Sequence, residues 1–67
     1  MVTKERMSIF IDEHIHPDKN HEVRVKTFDL IDSKNEQFMK DLTEMLSVED
    51  VVGINIGEVL IDTLENY

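Results

Sequence analysis

Apolar and polar side chains alternate along residues 7–15, and this alternation predicts a β-strand. One side of an extended chain carries Met7, Ile9, Ile11 and Ile15, and the opposite side carries Ser8, Asp12 and His14. A period of two is typical of a strand that buries one of its faces. We therefore expect the fold to open with a strand over this stretch.

The stretch 22–30 repeats the alternation, with Val23, Val25 and Thr27 on one side of the chain. The intervening residues 16–20 are rich in proline, aspartate and asparagine, which favour turn geometry. Two strands joined by a short turn predict an antiparallel β-hairpin.

The spacing of Ser33 and Glu36 matches a capping box, in which a serine and a glutamate satisfy backbone N–H groups at a helix start. Behind this pair, apolar side chains recur at i, i+4, i+7 and i+8, which is the spacing of one helical face. These positions are Phe38, Leu42, Met45 and Leu46. We expect a helix from Ser33 to about residue 46.

Residues 48–66 allow two interpretations. The many β-branched side chains favour strands, and so do Gly53 and Gly57, since each glycine costs about 1 kcal/mol in a helix interior. Gly57 would then lie in a two-residue hairpin loop. The same apolar residues also fit a helical stripe, so a helix remains the alternative. The expected fold class is α+β, a small single domain over 1–67, ordered β-β-α-β-β or, alternatively, β-β-α-α.

Length and composition exclude several classes of protein. The chain has 67 residues and no cysteine, which excludes a disulfide framework, a thiolate zinc site and a cysteine nucleophile. Its longest apolar runs are far shorter than the roughly 20 residues of a membrane span, and its start does not resemble a signal peptide. We expect a cytoplasmic protein.

A chain of this size rarely stabilises itself with its own core, so we expect a homodimer. The candidate dimer interface consists of apolar side chains on the outer faces of the two predicted strands, where they would remain uncovered in a monomer. These side chains are Phe10, Phe28 and Leu30.

Charge is distributed unevenly along the chain. The 15 acids outnumber the 7 bases for a net charge of −8, and every base lies at or before Lys40. The residues after Lys40 therefore carry seven acids and no base, a pattern that predicts a surface for a basic partner. The candidate partner-binding residues are Asp41, Glu44, Glu49, Asp50, Glu58, Asp62 and Glu65.

Candidate chemistry is sparse. His14, His16 and His21 lie near Asp12 around the predicted turn and offer zinc ligands, but exposed histidines beside a turn are commonly only solvated. Adjacent acids on a strand point to opposite faces, and no phosphate loop or nucleophile motif is present. We expect no enzyme, no cofactor and no metal. Direct binding of nucleic acid is not expected either, because acids outnumber bases.

In length, acidity and expected α/β make-up, the chain resembles small phage-encoded host-takeover proteins that act as DNA mimics. This class includes inhibitors of uracil-DNA glycosylase and of the histone-like nucleoid protein HU. The resemblance rests on overall charge and on the acids from Asp41 to Glu65, without a signature motif. It implies a homodimer in the bacterial host cytoplasm whose carboxylates replace phosphates on a basic DNA-binding protein. The alternative is a small phage or plasmid structural or regulatory module that binds through apolar strand faces.

Overall fold

The computed structural model of the protein describes residues 2–67, so that only Met1 of the expected domain lies outside it. The described residues form four helices and no strand. The predicted α+β class is therefore wrong, both as β-β-α-β-β and as β-β-α-α. The resemblance to mixed α/β proteins in secondary structure is wrong for the same reason. The helices are α1 (Lys4–His14), α2 (Pro17–Asp32), α3 (Glu36–Ser47) and α4 (Ile56–Leu64).

Helix α1 replaces the predicted strand over 7–15. Its buried side chains are Met7, Phe10 and Ile11, at the i, i+3 and i+4 spacing of a helical face. Ile9, which the strand interpretation placed beside Met7, is 53% exposed. The apparent alternation arose because Ile9 lies on the solvent side of the helix.

Helix α2 replaces both the predicted turn at 16–20 and the predicted strand over 22–30. Pro17 is its first residue, a position where the missing N–H of proline costs nothing. His16 caps the helix, since its Nδ1 accepts a hydrogen bond from the Asp18 backbone N–H. The buried positions, Val23 and Thr27, are one helical turn apart.

Helix α3 lies close to its predicted position, but Ser33 does not cap it. The Ser33 hydroxyl instead donates to the Leu30 carbonyl at 3.0 Å and ends α2. Lys34 follows in the left-handed conformation, with φ of 57°. The cap of α3 is Asn35, whose side-chain oxygen accepts from the Phe38 N–H at 3.0 Å.

The strands predicted between residues 48 and 66 are absent. Residues 48–55 form an irregular connection, and α4 follows with Asn55 as its cap. Ile56, Leu60 and Leu64 are buried at i, i+4 and i+8. Gly57 is not in a hairpin loop, since it lies in the first turn of α4, where a Cβ would come within 2.4 Å of the His14 carbonyl oxygen.

The core lies where the four helices meet. Its buried apolar side chains are Val2, Met7, Phe10, Ile11, Ile15, Val23, Phe38, Leu42, Met45, Ile56, Leu60 and Leu64. Thr27 is fully buried among them, and within the described residues its hydroxyl has no hydrogen-bond partner. None of the helices over residues 2–67 has the length and apolar character that a membrane span requires.

Candidate interaction surface

The outer side of α4 is a stripe of acids, which we call the α4 acidic stripe. It consists of Glu58, Asp62 and Glu65, all exposed, at i, i+4 and i+7. This spacing places the three carboxylates on one side of the helix, since residues three and four apart are neighbours on its surface. The helix buries its other side through Ile56, Leu60 and Leu64, so the carboxylates face solvent.

A shallow groove runs between α3 and α4. Its lining combines acids, apolar side chains and neutral polar groups, namely Asp41, Glu44, Met45, Val48, Val59, Thr63 and Asn66. Both acids come from α3, about one helical turn apart, while the neutral polar residues are Thr63 of α4 and Asn66 just after that helix. The groove therefore has an acidic wall beside an apolar floor.

Tyr67 connects α3 to the chain that follows α4. Its hydroxyl donates to Asp41 Oδ2 at 2.5 Å, and its ring packs edge-on against Phe38 with centroids 5.2 Å apart. The hydrogen bond to the Asp41 carboxylate, with smaller contributions from desolvation and from the negative charge, raises the pKa of Tyr67 to about 12. One oxygen of the Asp41 carboxylate is therefore already a hydrogen-bond acceptor within the molecule.

Glu49 differs from the other predicted partner-binding acids, because only 11% of its side chain is exposed. One carboxylate oxygen accepts a hydrogen bond from the Arg6 guanidinium, and the other lies 2.8 Å from His14 Nε2. The sequence suggested a binding acid, but the structure uses Glu49 to attach the α3–α4 connection to α1.

The other six predicted acids have no such partner. Ion pairs between lysine or arginine and an acid, over residues 2–67, are Lys4–Asp32, Arg6–Glu49 and Arg24–Asp12. Asp50, Glu44 and the α4 acidic stripe are exposed, while Asp41 is half-buried. Residues 41–67 therefore carry a negative charge that the described lysines and arginines of the chain do not neutralise through ion pairs, apart from Arg6 at Glu49.

Exposed apolar side chains accompany this charge. Eight large hydrophobic residues are exposed among the described residues, and six of them belong to the last twenty residues: Val48, Val51, Val52, Ile54, Val59 and Tyr67. The sequence did not indicate this exposure, because the β-branched side chains of the segment favour strands. Their position beside two glycines was the available signal of an irregular segment.

His14 and His16 line one surface pocket together with Asp12, but His21 is not part of that lining. His16 caps α2 and His21 is exposed further along the same helix. Within residues 2–67, one group has the spacing of metal ligands, formed by Glu13, His14 and Glu49. Because the Arg6 guanidinium already contacts one oxygen of the Glu49 carboxylate, a cation entering this group would be repelled by a neighbouring positive charge.

The residues proposed for a dimer interface have different environments. Phe10 is fully buried in the chain's own core, so it cannot contact a second copy in this fold. Phe28 is half-buried, with Lys4 Nζ 6.0 Å and the Arg24 guanidinium carbon 5.9 Å from its ring centroid. Leu30 packs partly against the core. The homodimer itself stays a prediction.

Comparisons with protein-family models, with curated proteins and with solved structures find no match for this chain. The function must therefore be inferred from the surface described above.

Proposed function

We propose that this protein is a non-enzymatic DNA mimic that blocks the basic, DNA-contacting surface of a bacterial host protein. The supporting observation is the set of acids that face solvent without an ion-pair partner over residues 41–67. Such a partner works on DNA, so the proposal places the protein in the host cytoplasm.

Electrostatics supports a basic protein as the partner. Concentrated negative potential repels nucleic acid and accelerates association with a positive surface, and it costs stability through self-repulsion. A basic partner offsets this self-repulsion by neutralising the carboxylates. A DNA-binding protein is a suitable target because Lys and Arg side chains line the surface with which it contacts phosphates.

The acids that carry this proposal are fewer than the sequence suggested. Glu49 is excluded because its carboxylate is paired with Arg6 and His14 inside the molecule. The α4 acidic stripe is central, since its three carboxylates lie on one exposed side of a single helix. The alternative, binding through apolar strand faces, requires strands that the described residues do not form.

A DNA-competition experiment tests this function. Purified HU and uracil-DNA glycosylase are each bound to a fluorescent DNA duplex, and the protein is added at low and at physiological salt. We expect it to release DNA from at least one of them, more weakly as salt rises, since exposed charges are screened beyond about 8 Å at physiological ionic strength.

A matched pair of variants locates the interaction. Glu58→Lys with Asp62→Lys and Glu65→Lys reverses the α4 acidic stripe and should abolish DNA release. Asp18→Lys with Glu22→Lys and Asp29→Lys changes the net charge equally on exposed positions of α2 and should retain most of it. Each set includes one acid from the first turn of its helix, and circular dichroism confirms folding. If neither target releases its DNA, or both variants behave alike, the proposal is wrong.

A further inference from the structure

We propose that the groove between α3 and α4, together with the connection 48–54, binds a basic amphipathic helix of the partner. This inference rests on the proposed function for the sign of the partner's charge and adds an apolar contact to it. Lysine and arginine side chains of that helix would contact the acids of the groove, and its apolar side chains would cover the exposed valines.

The first support is the concentration of exposed apolar surface. Isolated exposed hydrophobic residues are ordinary, but a cluster marks a binding surface. Four of the eight exposed large hydrophobic residues lie within residues 48–54, and Val52 is 97% exposed. Residues 2–47 contain only Ile9 and Val25, which lie on different helices.

The second support is continuity between the connection and the groove. The Val51 N–H donates to the Val48 carbonyl at 3.1 Å, which folds the connection back towards the end of α3. Val48, the first residue of the connection, and Val59 of α4 line the groove beside Asp41 and Glu44. An apolar strip bordered by carboxylates is complementary to a helix with one apolar side and basic flanks.

The third support is that the connection is held in place. Glu49 lies within it, and its carboxylate is bound by Arg6 and His14 of α1. Gly53 turns the chain with φ of 92°, in the left-handed region that side chains disfavour. A segment ordered before binding loses less conformational entropy when a partner docks.

Charge selects the occupant. A second copy of this chain would bring its own unpaired acids against Asp41, Glu44 and the α4 acidic stripe, and like charges across an interface oppose association. A basic helix would instead place lysine and arginine side chains against these acids, so that each contact becomes attractive. The partner is therefore a basic amphipathic segment rather than another copy.

Two synthetic helical peptides of equal length and charge test the inference by isothermal titration calorimetry. One carries lysine and arginine around a face of leucines, and in the other each leucine is replaced by glutamine. We expect the leucine peptide to bind about tenfold more tightly or better, because it also buries apolar surface.

Variants of two pairs of exposed apolar residues assign that difference to the connection; Val52, at 97% exposed, is the most exposed of the four. Val51→Ser with Val52→Ser should reduce binding of the leucine peptide to the level of the glutamine peptide and leave the glutamine peptide unaffected. The control is Ile9→Ser with Val25→Ser, at positions 53% and 50% exposed, compared with 48% for Val51. The control should retain the full difference between the peptides.

Each other outcome is decisive. Equal, salt-sensitive binding of both peptides would overturn the apolar contact and leave the proposed function standing. Binding of neither peptide would contradict the electrostatic basis of both proposals. A leucine preference that survives Val51→Ser with Val52→Ser would place the contact elsewhere. A wild-type dimer in sedimentation equilibrium that these two substitutions dissociate would show that the occupant is a second copy.

Discussion

The two helix pairs of this small protein, α1 with α2 and α3 with α4, differ in how many of their acids form ion pairs. In the pair α1 and α2, Lys4 lies 2.8 Å from Asp32 and Arg24 lies 2.6 Å from Asp12, so bases and acids neutralise one another across the helices. In the pair α3 and α4, the described acids of residues 41–67 have Arg6 as their single lysine or arginine ion-pair partner, and it contacts Glu49. The α1–α2 pair mixes bases with its acids, and we call it the closed pair, although Asp18, Glu22 and Asp29 are exposed there without a lysine or arginine partner within residues 2–67. The α3–α4 pair, whose single base is Lys40, we call the open pair.

The difference shows which features of the α3–α4 pair go beyond what folding requires. Surface ion pairs are worth only about 0 to 1 kcal/mol each, so the closed pair gains little stability from them. The open pair combines unpaired acids with exposed valines, which is a costly arrangement for a protein without a partner. This contrast makes the α3–α4 surface the part of the molecule to test.

The largest expected effect concerns the contact between the two pairs. Gly57→Ala places a Cβ 2.4 Å from the His14 carbonyl oxygen, and a backbone oxygen cannot move aside without shifting α1. We expect a loss of about 2 kcal/mol in the free energy of unfolding, after a gain in helix propensity offsets part of the overpacking. Urea denaturation followed by circular dichroism measures the change.

The control for Gly57 is Gly53→Ala. No atom lies within 4 Å of its added Cβ, so the cost is backbone strain alone, about 1 kcal/mol. A Gly57→Ala variant as stable as wild type would mean that α4 does not pack its first turn against the end of α1.

The next effect concerns Glu49. This residue lies in the connection between α3 and α4, but its carboxylate contacts Arg6 and His14 of α1. Glu49→Gln removes the charge that Arg6 and His14 share, and hydrogen bonds to charged groups are worth about 1.5 to 3 kcal/mol. We expect a loss of about 1.5 kcal/mol, at the lower end of this range because 39% of the Arg6 side chain is exposed. Asp50→Asn, its exposed neighbour, should change stability by less than about 0.5 kcal/mol. Equal effects in urea denaturation would contradict the anchoring role of Glu49.

The smallest effect is a titration within the open pair. Tyr67 is the only tyrosine, and its pKa of about 12 lies above the ordinary value of 10.0 because Asp41 accepts its proton in a hydrogen bond. The raised pKa in the folded state means that the stabilisation is complete below pH 10.0 and disappears as pH rises towards about 12. Phenolate absorbance should follow this midpoint.

Variants of the two acids in the groove check the cause of the shift. Asp41→Ala should lower the Tyr67 midpoint most of the way to 10.0, the ordinary tyrosine value, because only the smaller contribution of desolvation remains. Glu44→Ala removes the same charge one helical turn away and should leave the midpoint near its wild-type position. If both variants lower the Tyr67 midpoint equally, the raised pKa comes from the negative charge near Tyr67 and not from the hydrogen bond to Asp41.

Sequence reasoning succeeded where a pattern had a single physical interpretation. The spacing of Phe38, Leu42 and Met45 fits one face of a helix, and all three are buried in α3. It failed at Ile9 and Phe10, because an alternation of two over a few residues is also compatible with a helix that exposes one isoleucine. Pro17 is equally ambiguous, since proline favours both turns and the first position of a helix.

The sequence by itself determined how unevenly charge is distributed along the chain, because that depends only on the order of the residues. It could not determine which acids remain free, since pairing depends on distances between residues far apart in the chain. Glu49 and Asp50 are adjacent acids, yet only Glu49 comes within reach of Arg6, 43 residues away. Tertiary packing decided this by bringing the start of the α3–α4 connection against α1, which buries one carboxylate beside a guanidinium and leaves the next in water.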